Sequence, residues 1–179
     1  MNRATKIFAI LLLCAVMFNC KSEPSLQRYF VDNQETTDFI SQDIPISMLE
    51  LDETKLTEEQ KEAYKSVRRL NFIGFKADEK NQDTYSTKLE EVKDILRQEQ
   101  YQDLMEFQDR GNKFVIKYVG DDDEADEVIV LGSSKEVGFG VVRLLGDDMK
   151  PEKMYALVEA MRHSGMDASQ FKEMTDFFK

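Results

Sequence analysis

The sequence predicts an α+β fold of two layers: a mainly antiparallel sheet of about four to five strands with helices packed on one face. Three observations carry this expectation. Apolar residues recur at helical spacing in residues 57–70 and 85–96, the pattern changes towards strands in four short runs from Tyr101, and helical spacing returns after Pro151. A sheet with one apolar face has to cover it, and helices on both flanks of a meander supply the cover.

In chain order, residues 26–53 are the least periodic. Phe39, Ile40, Ile44, Ile46, Met48, Leu49 and Leu51 are apolar, but Pro45 blocks a helix through the middle, so the segment is expected as an extended lead-in packed on the domain. Thr57 and Gln60 form a T-x-x-Q capping box, and Leu56, Ala63, Tyr64, Val67 and Leu70 share a helical face, which predicts a helix over 57–70. NFIGFKA (71–77) reads as a short strand, and Tyr85, Leu89, Val92 and Leu96 define a second helix. YQDLMEF, KFVIKYV, EVIVLG and EVGFGVVRLLG then read as four consecutive strands, with turn chemistry in DRGN (109–112) and GSSK (132–135). Pro151 suits the first turn of a third helix burying Met154, Leu157, Val158 and Met161, which Gly165 ends. Asp167 and Gln170 cap a last short helix carrying Phe171, Met174 and Phe178.

The two cysteines of the chain, Cys14 and Cys20, both lie in LLLCAVMFNCKSEP. Arg3 and Lys6 precede an uncharged run over residues 7–18, a length that suits an export signal; a membrane-spanning helix needs about twenty residues. Ala15-Val16-Met17 fails the small-residue cleavage rule, whereas Cys20 closes the apolar run and resembles the lipidated cysteine of a bacterial lipobox, with Met17 three residues before it. Phe18 and Asn19 depart from that pattern. The expected organisation is therefore a lipoprotein signal peptide (1–19), the lipidated Cys20 with a short tether (20–25), and a single domain (26–179). Several acyl chains on one cysteine give stable membrane anchoring, and Lys21 after the cysteine points to outer-membrane sorting.

Removal of residues 1–19 leaves 22 basic against 35 acidic residues, a net charge of about −13 that repels nucleic acid and anionic headgroups. The acidic run GDDDEADE (120–127) raises a calcium reading through Asp121, Asp122 and Asp123. It lacks the glycine at the sixth position and the glutamate at the twelfth that a calcium loop needs, so a solvated hairpin loop is preferred. His163, the single histidine, stands in the last turn of a helix beside Arg162, where positive charge suits the helix dipole. Gly138-Phe139-Gly140 lacks the third glycine of a dinucleotide fingerprint and has Arg143 in its place. No carboxylate pair stands out for acid/base work, and neither a catalytic residue nor a cofactor is assigned. Met149, Met154, Met161, Met166 and Met174 cluster near the C-terminus, as core or as an adaptable groove.

The stretches SLQRYFVDNQETTDFISQDIP, LDETKLTEEQKEAYKSVRRLNFIGFK, NKFVIKYVGDDDEADEVIVLGSS and GFGVVRLLGDDMKP, following an exported cysteine, resemble a family of small bacterial envelope lipoproteins classed as a domain of unknown function. The resemblance covers nearly the whole mature chain and implies no active-site residues. It implies an envelope setting, with genes often near those of extracytoplasmic-function sigma factors. The expected function is a membrane-anchored, non-catalytic module binding an envelope protein or peptide. The alternatives are an envelope hydrolase using carboxylates and a calcium-dependent adhesion or sensing protein.

Overall fold

In the computed structural model, the residues described are 23–48, 53–109, 111–163 and 177, with side chains of 159–163 outside the description. The ordered elements are α1 (Leu26–Asn33), β1 (Phe39–Pro45), α2 (Glu58–Ser66), β2 (Val67–Lys76), α3 (Gln82–Leu96), β3 (Gln102–Asp109), β4 (Asn112–Gly120), β5 (Ala125–Ser134), β6 (Gly138–Met149) and α4 (Pro151–His163). The strands form one sheet in the order β1-β2-β6-β5-β4-β3, with every neighbouring pair antiparallel. Helix α3 carries the chain from β2 to the far edge, and the β3-to-β6 meander brings it back to β2.

The α+β class and the antiparallel sheet are as expected. Two features differ: the sheet has six strands, and helices cover both of its faces. On one face Ile73, Phe75, Ile129, Leu131, Phe139 and Val141 pack against Leu26, Tyr29 and Phe30 of α1 and Leu89, Val92 and Leu96 of α3. On the other, Leu70, Phe72, Ile116, Val128 and Leu144 pack against Ala63 of α2 and Met154 and Leu157 of α4. The physical reason is legible in β5 and β6. Their apolar residues are contiguous, and a strand apolar at consecutive positions has to be buried on both sides.

The lead-in departs most from expectation. Residues 26–33 are helical because Leu26, Tyr29, Phe30 and Asn33 fall on one stripe, and the Ser25 side chain caps the first turn by accepting from the Arg28 amide at 3.2 Å. Pro45 does exclude a helix: it closes an edge strand instead, where a missing donor costs little. The capping box at Thr57 and Gln60 is present with both bonds, 3.2 and 2.9 Å. The helix that it starts stops at Ser66, not at residue 70. Val67 is already extended (φ −80°, ψ 135°), and Leu70 belongs to β2. Met149 and Met154 are fully buried core residues. Of the expected last helix only Phe177 is described, and it is helical; Phe171, Met174 and Phe178 lie outside the described residues, as do Gly165 and Met166.

Candidate functional site

The first described residues are fastened to the middle of α3 and to the segment that follows it. Gln98 Nε2 donates to the Pro24 carbonyl (2.7 Å), the Leu26 amide donates to the Tyr101 hydroxyl (3.3 Å), and the Tyr29 hydroxyl donates to the Lys88 carbonyl (3.3 Å). These ties hold α1 beside α3 and leave an open groove of about 630 Å³ along the seam. Arg28, Tyr29, Asp32, Lys88, Glu91 and Asp94 line it. Its charges are paired at the surface, Arg28 with Asp32 at 3.5 Å and Lys88 with Glu91 at 2.9 Å, while Asp94 pairs with Arg97. Exposed pairs of this kind contribute roughly 0–1 kcal/mol each, so a partner's charges can replace them at small cost. Tyr29 forms the floor. Its burial, and secondarily the charge of Glu91, pushes the phenol well above its ordinary value, so it stays a neutral donor.

A second, smaller cleft of about 290 Å³ lies on the other side of α1, lined by Gln27, Ser41, Asp43, Arg69, Asn71 and Arg143. At its base Arg143 makes two hydrogen bonds to Glu127, Nε to Oε1 at 2.6 Å and an Nη to Oε2 at 2.9 Å, with both side chains nearly buried. The guanidinium carbon lies 5.4 Å from the Phe30 ring centre, a cation–π contact that ties α1 to the sheet. Burial alone would lower the Arg143 pKa; the bonds and charge of Glu127, with Tyr101, reverse this and raise it, so the side chain remains charged. Sequence reasoning missed this pair. The available signal was one arginine inside the apolar run GVVRLL, since a buried charge needs an opposite partner.

The acidic segment is not one loop. Asp121 and Glu124 exchange backbone hydrogen bonds at 2.8 and 3.2 Å, closing a tight turn. Ala125 is buried at the start of β5, Asp126 points outward, and Glu127 turns inward to Arg143. Asp121, Asp122 and Asp123 are exposed on the turn, with the Tyr118 hydroxyl donating to Gln102 (2.9 Å) and Asp122 as a second acceptor at 3.4 Å. Burial, followed by the charge of Asp122, raises the Tyr118 pKa. Among the described residues no three His, Cys, Asp or Glu side chains come together as a metal site. Gly138 and Gly140 lie in close-packed sheet: a Cβ at Gly138 would stand 2.0 Å from the Phe75 carbonyl oxygen.

His163 is the last residue of α4, with its side chain outside the description. Cys14 and Cys20, with the apolar run around them, lie outside the described residues. Among the described residues no helix is long and apolar enough to cross a membrane.

The architecture is thus a six-stranded antiparallel α+β domain with a mixed-charge groove where the chain enters it. Residues 29–157, which include all six strands, match the family described as a domain of unknown function (DUF4252), and the chain belongs to that family. No curated protein matches it. No solved structure matches it either.

Proposed function

We propose that the protein is an envelope lipoprotein, held at the outer membrane by lipid on Cys20, whose domain is a non-catalytic module binding a protein or peptide in the groove between α1 and α3. The observation that carries this reading is the position and shape of the groove. It begins at Pro24, four residues after Cys20, is open along its length, and presents Arg28 and Lys88 against Asp32, Glu91 and Asp94 around the apolar Tyr29 and Ile95. An open seam between two helices, with paired but exchangeable charges, suits an extended polypeptide with a surplus of basic residues. The overall acidity of the chain steers such a partner toward it.

The address and the binding are tested separately. Metabolic labelling with a palmitate analogue is expected to mark the wild type and miss Cys20→Ala; a labelled Cys20→Ala chain would overturn the anchor. Affinity capture from the native envelope is expected to recover a partner that Glu91→Arg combined with Asp94→Arg loses. Equal recovery by both chains would overturn the groove.

A further inference from the structure

The two edges of the sheet differ in how they are protected. Strand β3 carries a register shift between Asp103 and Met105 and the charges of Asp103, Glu106 and Asp109, features that deter edge-to-edge pairing. Strand β1 pairs with β2 along its whole length without a shift, and its one charged residue is Asp43. Val31 and Met48, the two most exposed large apolar side chains among the described residues, flank it. Val31 shares a cleft with Ser41 and Asp43, and Met48 lies three residues past the end of the strand.

The direction of the outer backbone groups of β1 follows from β2. The Ser41 hydroxyl donates to the Phe72 carbonyl at 3.2 Å, so that carbonyl faces β1. The Phe75 and Ile73 carbonyls face β6 instead, 2.0 and 3.8 Å from where Cβ atoms would stand on Gly138 and Gly140. Backbone groups alternate along a strand, so Leu70, Phe72 and Gly74 bond to Ile44, Gln42 and Ile40. Ser41 and Asp43 therefore direct their amides and carbonyls away from the sheet, and among the described residues no backbone hydrogen bond outside the ladder reaches them. The other two outward positions have no donor to offer: the Phe39 amide donates to the Thr36 carbonyl at 3.1 Å, and Pro45 has no N–H.

This arrangement is complementary to itself. A two-fold axis at Gln42 sets a second β1 antiparallel to the first over the full strand. Ser41 then stands opposite Asp43 of the second copy, a pair that exchanges both of its backbone hydrogen bonds, and Asp43 opposite Ser41 does the same. Phe39 stands opposite Pro45, so the positions without donors meet each other. Ile40 stands opposite Ile44, and both side chains, half-buried in the single chain, gain apolar cover. An axis at Asp43 would oppose two carboxylates, and one at Ser41 would set Asp43 against the engaged amide of Phe39.

We propose that β1 is a self-pairing edge and that its occupant is β1 of a second copy, which joins two sheets into one continuous antiparallel sheet across an isologous interface. This contact is separate from the groove between α1 and α3 and does not depend on it. Cysteine crosslinking in cells that make the full chain tests it. In this register Gln42 alone meets its own copy, in a non-hydrogen-bonded pair whose Cα separation of about 4.5 Å suits a disulfide. On oxidation, Gln42→Cys is expected to give a reducible dimer of the chain at least tenfold above the wild type and above Gln108→Cys on the β3 edge. Ser41→Pro, added to Gln42→Cys, removes an outward amide while sparing the ladder to β2, and is expected to lower the dimer at least tenfold. Ser41→Asp, added in the same way, sets a second carboxylate opposite Asp43 without touching the backbone, and is expected to lower it several-fold. No dimer, a yield equal to that of Gln108→Cys, a dimer that survives both changes at Ser41, or a bond to a different protein would overturn the proposal.

Discussion

Glu127 and Arg143 are diagonal neighbours across the β5 and β6 ladder, because Glu127 pairs with Leu145 and Ile129 with Arg143. Long side chains reach across such diagonals, and here both oxygens of the carboxylate are used. Removing one partner leaves a buried charge without compensation. Glu127→Ala is therefore expected to lower the unfolding free energy by about 3–5 kcal/mol, whereas replacing both residues together, Glu127→Leu with Arg143→Met, recovers most of that loss. Urea unfolding of the two variants measures the difference. Tyr29 gives a second expectation at this scale. Its folded pKa is raised above the ordinary value of 10.0, chiefly by burial, so its contribution is fully present below about pH 10 and is lost as the pH rises beyond it. Alkaline titration followed by phenolate absorbance is expected to show this phenol ionising only together with loss of secondary structure, a component that Tyr29→Phe removes. Arg143 signals in the sequence that it needs a partner, but Glu127 was not legible as that partner. Glu127 is one of several carboxylates in its run, and facing direction depends on the register shift between Ala125 and Glu127 in β5.

Among the elements, α2 shows what local chemistry decides and where it stops deciding. The reciprocal bonds of Thr57 and Gln60 start the helix, and Glu58 and Glu59 in the first turn complement its dipole. Gln60 also donates to the Ala156 carbonyl at 3.3 Å, which links the cap to α4. Thr57→Ala is expected to cost about 1 kcal/mol, read as a lower midpoint in thermal or urea unfolding with an unchanged denaturant slope. The end of α2 was misread because Val67 and Leu70 continue its apolar stripe in sequence, yet both are claimed by β2, where they pair with Gly146 and Leu144. Tertiary pairing outweighs a propensity difference of under about 1 kcal/mol per residue. Helix α1 had its signal in Ser25, Leu26, Tyr29 and Phe30, but its stripe ends on Asn33. That residue is buried only because its Nδ2 donates to the Tyr29 carbonyl at 2.8 Å.

For the whole molecule, the four-strand meander, α3 and α4 were readable because each is a long segment with one clear period. The second helical layer was readable only indirectly, through contiguous apolar residues in EVIVLG and GVVRLL, whereas the order of the elements suggests a single covered face. The groove between α1 and α3 was not readable, since its walls are more than fifty residues apart in sequence and meet through bonds of Pro24, Leu26 and Tyr29 to α3 and its C-terminal flank. The groove is the centre of the functional reading, so the most direct measurement is site-specific photocrosslinking in the native envelope. A photoreactive residue at position 91, on the groove wall, is compared with one at position 113, on β4 away from it. Discrete crosslinked products are expected from position 91 alone, and they are expected to vanish when Asp32 and Asp94 are both changed to Arg. The same products from both positions, or products from position 91 that survive the charge reversal, would contradict the reading of this groove as the binding site.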